Sequence, residues 1–320
     1  MTDQRLQLGA VLHNFVGFRE TGRSARACVD LALHAERAGF DSVWVTDHVV
    51  LPETREATYP HGGDFAFRWY HDIHEPLALM AALAQATERV QIGAAVLVIP
   101  YRHPLVTAKM LATIDQLAEG RVVLGAGVGW LHDEFAALGL GPDVFEHRGS
   151  VTEDFLRAMR AAWTAPGAAS HHGPWVAFDA VGTRPQPPRG GHLPVWIGGK
   201  GDRALRRAVA LGDGYLAISS GPELLRREVA RLRALAEDAG RDPAELTVAL
   251  IEAIVVSEQP LDGDRSLLHG STEQIVEGLH ALSAAGLDHL VSAVQTAGDP
   301  SYAGACGALD AVAAEVRPHL

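Results

Sequence analysis

Lysine is almost missing from this chain: its 27 basic residues include only two lysines, Lys109 and Lys200. Cysteine is as scarce. Cys28 and Cys306 stand at opposite ends of the sequence with no metal or redox spacing, which excludes a disulfide framework, a zinc knuckle and a Cys-x-x-Cys motif. No run approaches the roughly 18 to 20 apolar residues that span a bilayer, and the start, Met-Thr-Asp-Gln-Arg, leads into an apolar strand without a cleavable signal pattern. A cytoplasmic protein with no membrane partner is expected. Basic excess is lacking too, since a formal charge of −12 opposes attraction to nucleic acid or anionic membranes. No Gly-x-Ser-x-Gly elbow, Walker loop, internal repeat or low-complexity tract occurs. What is present is ordinary globular material, 48% apolar and 21% charged over 320 residues, enough for one barrel-sized α/β domain spanning 1–320.

Apolar runs of strand length alternate with helical spacing along the whole chain. Strands are expected at 6–12, 42–46, 90–98, 122–126, 195–197, 214–218, 246–255 and 289–294. Helices are expected at 24–38, 76–87, 104–117, 148–163, 203–211, 222–239, 272–285 and 305–316, several of them stopped by glycine. Eight strands and eight helices over this length predict a TIM (β/α)8 barrel with insertions, although an open doubly wound sheet tolerates the same alternation. Three stretches break the rhythm. Residues 49–73 carry Tyr59, Phe65, Phe67, Trp69 and Tyr70 and read as a substrate lid. Residues 171–188 read as a short hairpin before the fifth strand, and 257–270 as an acidic, solvated excursion.

In a parallel α/β protein the residues just past the strand ends converge on one face. Asp47-His48 would emerge there after the second strand. A carboxylate beside an imidazole can fix its tautomer or tune it for proton transfer, while the plain alternative is a helix-capping Asp and a surface His. Gly125, Gly127 and Gly129 alternate before Trp130, leaving backbone amides unobstructed, although tight packing also asks for glycine. Gly198-Gly-Lys-Gly201 opens a helix and suits a phosphate, the alternative being a simple turn. One constellation competes: His71-Asp-Ile-His-Glu75 with Asp47 and His48 offers ligands to a metallohydrolase. Yet no strand supplies a His-x-His pair, and Glu75-Pro76 suits a helix start, so no metal is assigned.

The segments Phe40-Asp-Ser-Val-Trp-Val-Thr-Asp-His48, Gln91-Ile-Gly-Ala-Ala-Val-Leu, Arg121-Val-Val-Leu-Gly-Ala-Gly-Val-Gly-Trp130 with Glu134-Phe135, Pro194-Val-Trp-Ile-Gly-Gly and Leu211-Gly-Asp-Gly214, in this order, resemble the bacterial luciferase-like superfamily. The match is to its branch of oxidoreductases that use coenzyme F420, a deazaflavin. The resemblance implies a TIM barrel, frequent homodimers, and hydride exchange with a small organic substrate. It further implies that Ala94, Ala95 and Val96 support the coenzyme ring through a bulged strand with a cis Ala95-Val96 peptide. Gly127, Val128 and Gly129 would complete the seat. Gly198, Gly199, Lys200 and Gly201 would hold the phosphate, with Arg102 or Arg203 reaching the anionic tail. His48, with Asp47, is the expected catalytic group, and His13, Trp69 and Trp130 the expected substrate pocket. Trp130 stands where sugar-phosphate dehydrogenases of the wider family carry a Glu, so this resemblance argues against glucose-6-phosphate and for an apolar wall. An FMN-dependent monooxygenase of the same superfamily is the alternative, since FMN fits a similar seat and also ends in a phosphate.

Overall fold

Strands buried on both faces must be covered by helices, and here the parallel sheet meets that demand by closing on itself. The computed structural model describes residues 5–14, 18–52, 72–218 and 221–320. Its barrel strands are β1 (Gln7–Val11), β2 (Ser42–Val45), β3 (Gln91–Val98), β4 (Val122–Gly127), β5 (Val195–Gly198), β6 (Gly214–Ile218), β7 (Thr247–Ile251) and β8 (His289–Ser292). All neighbours are parallel, in the order β1-β8-β7-β6-β5-β4-β3-β2 back to β1. The outer layer is α1 (Ser24–Arg37), α2 (Pro76–Ala86), α3 (Pro104–Leu117), α4 (Arg148–Thr164), α5 (Asp202–Leu211), α6 (Pro222–Asp238), α7 (Thr272–Ala284) and α8 (Tyr302–Ala311). This is the (β/α)8 barrel that the alternation predicts.

Local chemistry explains the boundaries. Pro76 opens α2 behind Glu75, whose carboxylate accepts from the Ala78 amide at 2.7 Å, and Ser271 and Gln274 form a reciprocal capping box on α7. Gly39 and Gly286, at φ 87° and 100°, end α1 and α7 in a conformation that other residues adopt at a cost. Among the described residues no helix is long and apolar enough to cross a membrane.

Two expected strands are interrupted. Residues 246–255 look continuous because the apolar run resumes at Ile254, but β7 stops at Ile251. Ile254–Val256 instead enters a separate parallel sheet with Val294–Thr296 and His269–Gly270. The eighth strand is split the same way at Ala293. The excursion at 257–270 is mostly exposed, yet Leu268 is fully buried and His269–Gly270 pairs with the small sheet, so its end is anchored rather than solvated. The final helix begins earlier than expected, at Tyr302, and passes into a π-turn over Val312–Val316. An inserted hairpin is present but lies earlier than the expected 171–188: Ala169–His172 pairs antiparallel with Ala177–Val181. Asp154 of α4 holds its turn, accepting from the Trp175 and Val176 amides at 2.9 and 3.1 Å.

The barrel interior is packed. Trp44 and Trp196 lie with ring centroids 5.3 Å apart among Val11, Val123, Leu216, Ala249 and Val291. Glycines make that possible, because a Cβ at Gly9 or Gly93 would collide with Trp44 and one at Gly214 with Trp196. A polar chain threads the same layer. The Trp44 indole donates to the Ser42 hydroxyl at 2.6 Å, which lies 2.7 Å from His289 Nε2, and His289 Nδ1 is 2.9 Å from Gln7 Oε1.

Candidate active site

The carboxyl ends of the strands bring most of the expected residues to one mouth. His13 and Asn14 follow β1, Asp47 and His48 follow β2, and Val96 sits in the outer half of β3. Gly127 to Trp130 leave β4, Gly198 to Gly201 leave β5, and Glu252 follows β7. Trp69, His71 and most of the aromatic 49–73 segment lie outside the described residues.

His48 is buried, and its partner is not the adjacent Asp47. Its Nδ1 lies 2.8 Å from Oε2 of Glu134, a carboxylate with no exposed surface on the short helix His132–Ala137. The same Glu134 oxygen accepts from the Tyr101 hydroxyl at 2.8 Å, and its other oxygen accepts from the Val49 and Val50 amides at 2.5 and 3.2 Å. Backbone amides can only donate, and Tyr101 stays protonated because burial, followed by the Glu134 charge, pushes its phenol far above the usual range. Three fixed donors therefore make Glu134 an acceptor on both oxygens. The fourth contact is satisfied when His48 Nδ1 carries a proton and donates it to Glu134. Trp130 stands edge-to-face with His48 at 6.3 Å.

Asp47 has a different task. Its carboxylate takes both arms of the Arg102 guanidinium at 2.7 and 2.8 Å and the Val98 amide at 2.9 Å, while Arg102 also reaches Glu75 at 2.9 Å. Burial raises the Asp47 carboxyl against the pull of Arg102. The pair ties the ends of β2 and β3 to the start of α2. This corrects two expectations: Asp47 does not orient His48, and Arg102 is spent inside the fold rather than held out to an anionic tail. Arg203, by contrast, is exposed in the first turn of α5.

The Ala95-Val96 peptide is cis, as the resemblance implies, and the β3 to β4 register shifts between Ala94 and Leu97. Gly127 and Gly198 have a packing reason for lacking side chains, since a Cβ on either would strike the Val96 isopropyl group. Gly129, at φ 77°, lies against Phe135 and Val98, and its carbonyl accepts from Arg148 Nε at 3.1 Å. The β5 loop is more open. Lys200 and Gly201 are exposed, Gly201 is the N-cap of α5 at φ 77°, and a Cβ there would meet nothing within 4 Å. Glu252 shares this side of the mouth: burial raises its carboxyl, while the Ala253 amide and then the charge of Lys200 pull it down. His13, at φ 50°, is buried against Phe18, with burial lowering its imidazole to about 4.

Sequence reasoning missed Glu134, Tyr101 and Asn14 as site residues. Asn14 is fully buried and uses its amide to bond the Thr46 carbonyl and amide at 2.9 and 2.8 Å and the His74 carbonyl at 3.2 Å, so it aligns the ends of β1 and β2 with the start of α2. The Glu134-Phe135 pair just after the Gly-x-Gly-x-Gly-Trp130 turn was the available signal for Glu134. Among the described residues no group of three or more His, Cys, Asp or Glu is arranged to hold a metal ion, and Glu75 serves as the α2 cap.

Residues 7–262 match the family model of luciferase-like monooxygenases. The chain is 32% identical over 257 residues to an F420-dependent glucose-6-phosphate dehydrogenase of Amycolatopsis mediterranei (strain U-32), covering 78% of this chain and 70% of that relative. It is 27% identical over 310 residues to an FMNH(2)-dependent dimethylsulfone monooxygenase of Pseudomonas putida, covering 82% and 81%. Among solved structures, an F420-dependent secondary alcohol dehydrogenase in complex with an F420-acetone adduct superposes with a TM-score of 0.79 at 19% identity, over 98% of this chain and 99% of that one. Relatives thus include both F420-dependent and FMNH(2)-dependent enzymes. The chain belongs to the luciferase-like monooxygenase family and is an oxidoreductase of that superfamily.

Proposed function

We propose that this chain exchanges a hydride between coenzyme F420 and a small organic substrate. The observation that carries the reading is the buried His48 imidazole, its Nδ1 held 2.8 Å from the Glu134 carboxylate, beside Trp130 at the barrel mouth. The residues fit a phosphorylated ring coenzyme. The cis Ala95-Val96 segment, backed by Gly127 and Gly198, presents a small-residue face for the ring. The open loop of Gly199, Lys200 and Gly201 offers amides, a helix N-terminus and an ammonium to a phosphate. When bound, the coenzyme supplies the hydride chemistry at its central ring. His48 Nε2 would take or return the accompanying proton on the substrate, with Glu134 holding the imidazole in place. Trp130 would wall the substrate side with apolar surface and limit water. The family relative that uses F420 at 32% identity supports the coenzyme assignment.

FMN is the second reading, favoured by the relative that uses FMNH(2), and it would occupy the same seat. Parallel fluorescence titrations of the purified protein decide between them. F420 is expected to bind at least about tenfold more tightly than FMN, a gap of about 1.4 kcal/mol. Equal or tighter binding of FMN, with oxygen-dependent product from reduced flavin, would replace this reading with the monooxygenase.

A further inference from the structure

On the outer flank of the barrel, α4 and α5 line a cleft of about 480 Å3. Its α4 wall carries Glu153 and Arg157, its α5 wall Arg203, Arg206 and Arg207, and Glu146 stands at one rim. Four guanidiniums therefore face two carboxylates, on a chain whose overall formal charge is −12. The internal pairing leaves cationic capacity unused. Arg207 is nine-tenths buried and bonds Glu153 at 3.1 Å, which fixes it in the floor. Gly149 makes room for it, since a Cβ there would come within 2.9 Å of the guanidinium. Arg206 is taken by Asp202 at 2.6 Å, a carboxylate that also holds Arg231. Arg157 reaches Glu153 only at 4.0 Å, and Arg203 has no ion pair among the described residues.

We propose that this cleft binds a ligand carrying two or more negative charges, of the phosphate or carboxylate class, gripped between Arg157 and Arg203 above the fixed Arg207. Guanidinium groups suit such oxyanions because their planar forks match two oxygens at once, and a local positive field in an acidic protein concentrates anions there. The proposal goes beyond hydride transfer and does not rest on it. The anion could be a free metabolite or the charged end of a molecule seated at the mouth, because α5 starts at the Gly199 to Gly201 loop.

Inorganic tripolyphosphate is the probe, titrated calorimetrically into the unloaded protein at low salt. Binding is expected, weakening as salt rises. The Arg157→Ala/Arg203→Ala double variant, both positions exposed, is expected to bind at least tenfold more weakly with an unchanged circular dichroism spectrum, while Arg26→Ala on α1 leaves binding intact. No binding by the wild type, or equal binding by the double variant, overturns the site. Repeating the titration after loading with F420 identifies the occupant: competition assigns the cleft to the coenzyme's own charged end, and undiminished binding assigns it to a separate metabolite. Should F420 fail to bind, the result on unloaded protein still decides the site.

Discussion

Glu134→Gln is expected to lower turnover by about 10²-fold while changing coenzyme affinity far less. The replacement keeps the shape of the side chain but not its acceptor capacity, because an amide NH2 must then face either the two backbone amides or the pair of His48 and Tyr101, all of them donors to the carboxylate. Either orientation leaves a buried donor unmatched and releases His48 from its tautomer. General acid and base contributions of this kind are worth about 10²- to 10⁴-fold, and an orienting carboxylate acts through the imidazole it holds. A purely structural role would change thermal stability and leave the pH profile of kcat in place. The expected signature is a shifted profile and loss of the Nδ1–H tautomer of His48 in nitrogen NMR. Unchanged turnover with an unchanged tautomer would remove Glu134 from the site.

Acid is expected to destabilise the fold well above the range where exposed carboxylates titrate. His289, at the centre of the barrel, has its imidazole lowered by burial to about 3, and His13 is lowered to about 4. In the unfolded chain both titrate near 6.5. Their neutral burial contributes stability that is fully present above about 6.5 and is lost as pH falls toward the folded values, since the unfolded state binds the extra protons. Each imidazole adds a slope of up to about 1.4 kcal/mol per pH unit in that window. Carboxyls raised by burial, such as Asp115 and Asp288, act in the opposite direction at lower pH. The comparison with His289→Gln cancels them. Denaturant unfolding from pH 7 to 5 should give a slope shallower by about one proton in the variant, which can still bond Ser42 and Gln7. Equal slopes would mean that His289 is protonated inside the barrel.

Much of the barrel was readable because its punctuation is local. Pro104 to Leu117 was bounded correctly, with a proline at its start and Gly120 after its end, and the fifth strand, expected at 195–197, runs one residue further to Gly198. The breaks at Glu252 and Ala293 were not readable, because buried apolar residues resume at once beyond them, at Ile254 and Val294. The mouth residues could be placed, but their pairings could not. Asp47 and His48 are neighbours in sequence, yet successive side chains of an extended segment point to opposite sides. That geometry sends Asp47 to Arg102 and Val98 and His48 to Glu134, which is 86 residues away. Gly127 and Gly198 were legible as sites needing no side chain. The reason, the Val96 isopropyl group between them, is a tertiary fact that no spacing encodes.

A deazaflavin ring is expected to sit against the Ala95 and Val96 face with His48 beside the reacting region. A crystal structure of the protein with F420 tests this most directly. The ring is expected on that face, the phosphate at the Gly199 to Gly201 loop, and His48 Nε2 positioned to reach a substrate atom at hydrogen-bond distance, about 2.6–3.2 Å, or through one water. A ring bound elsewhere, or one that leaves His48 turned away behind the protein wall, would contradict it.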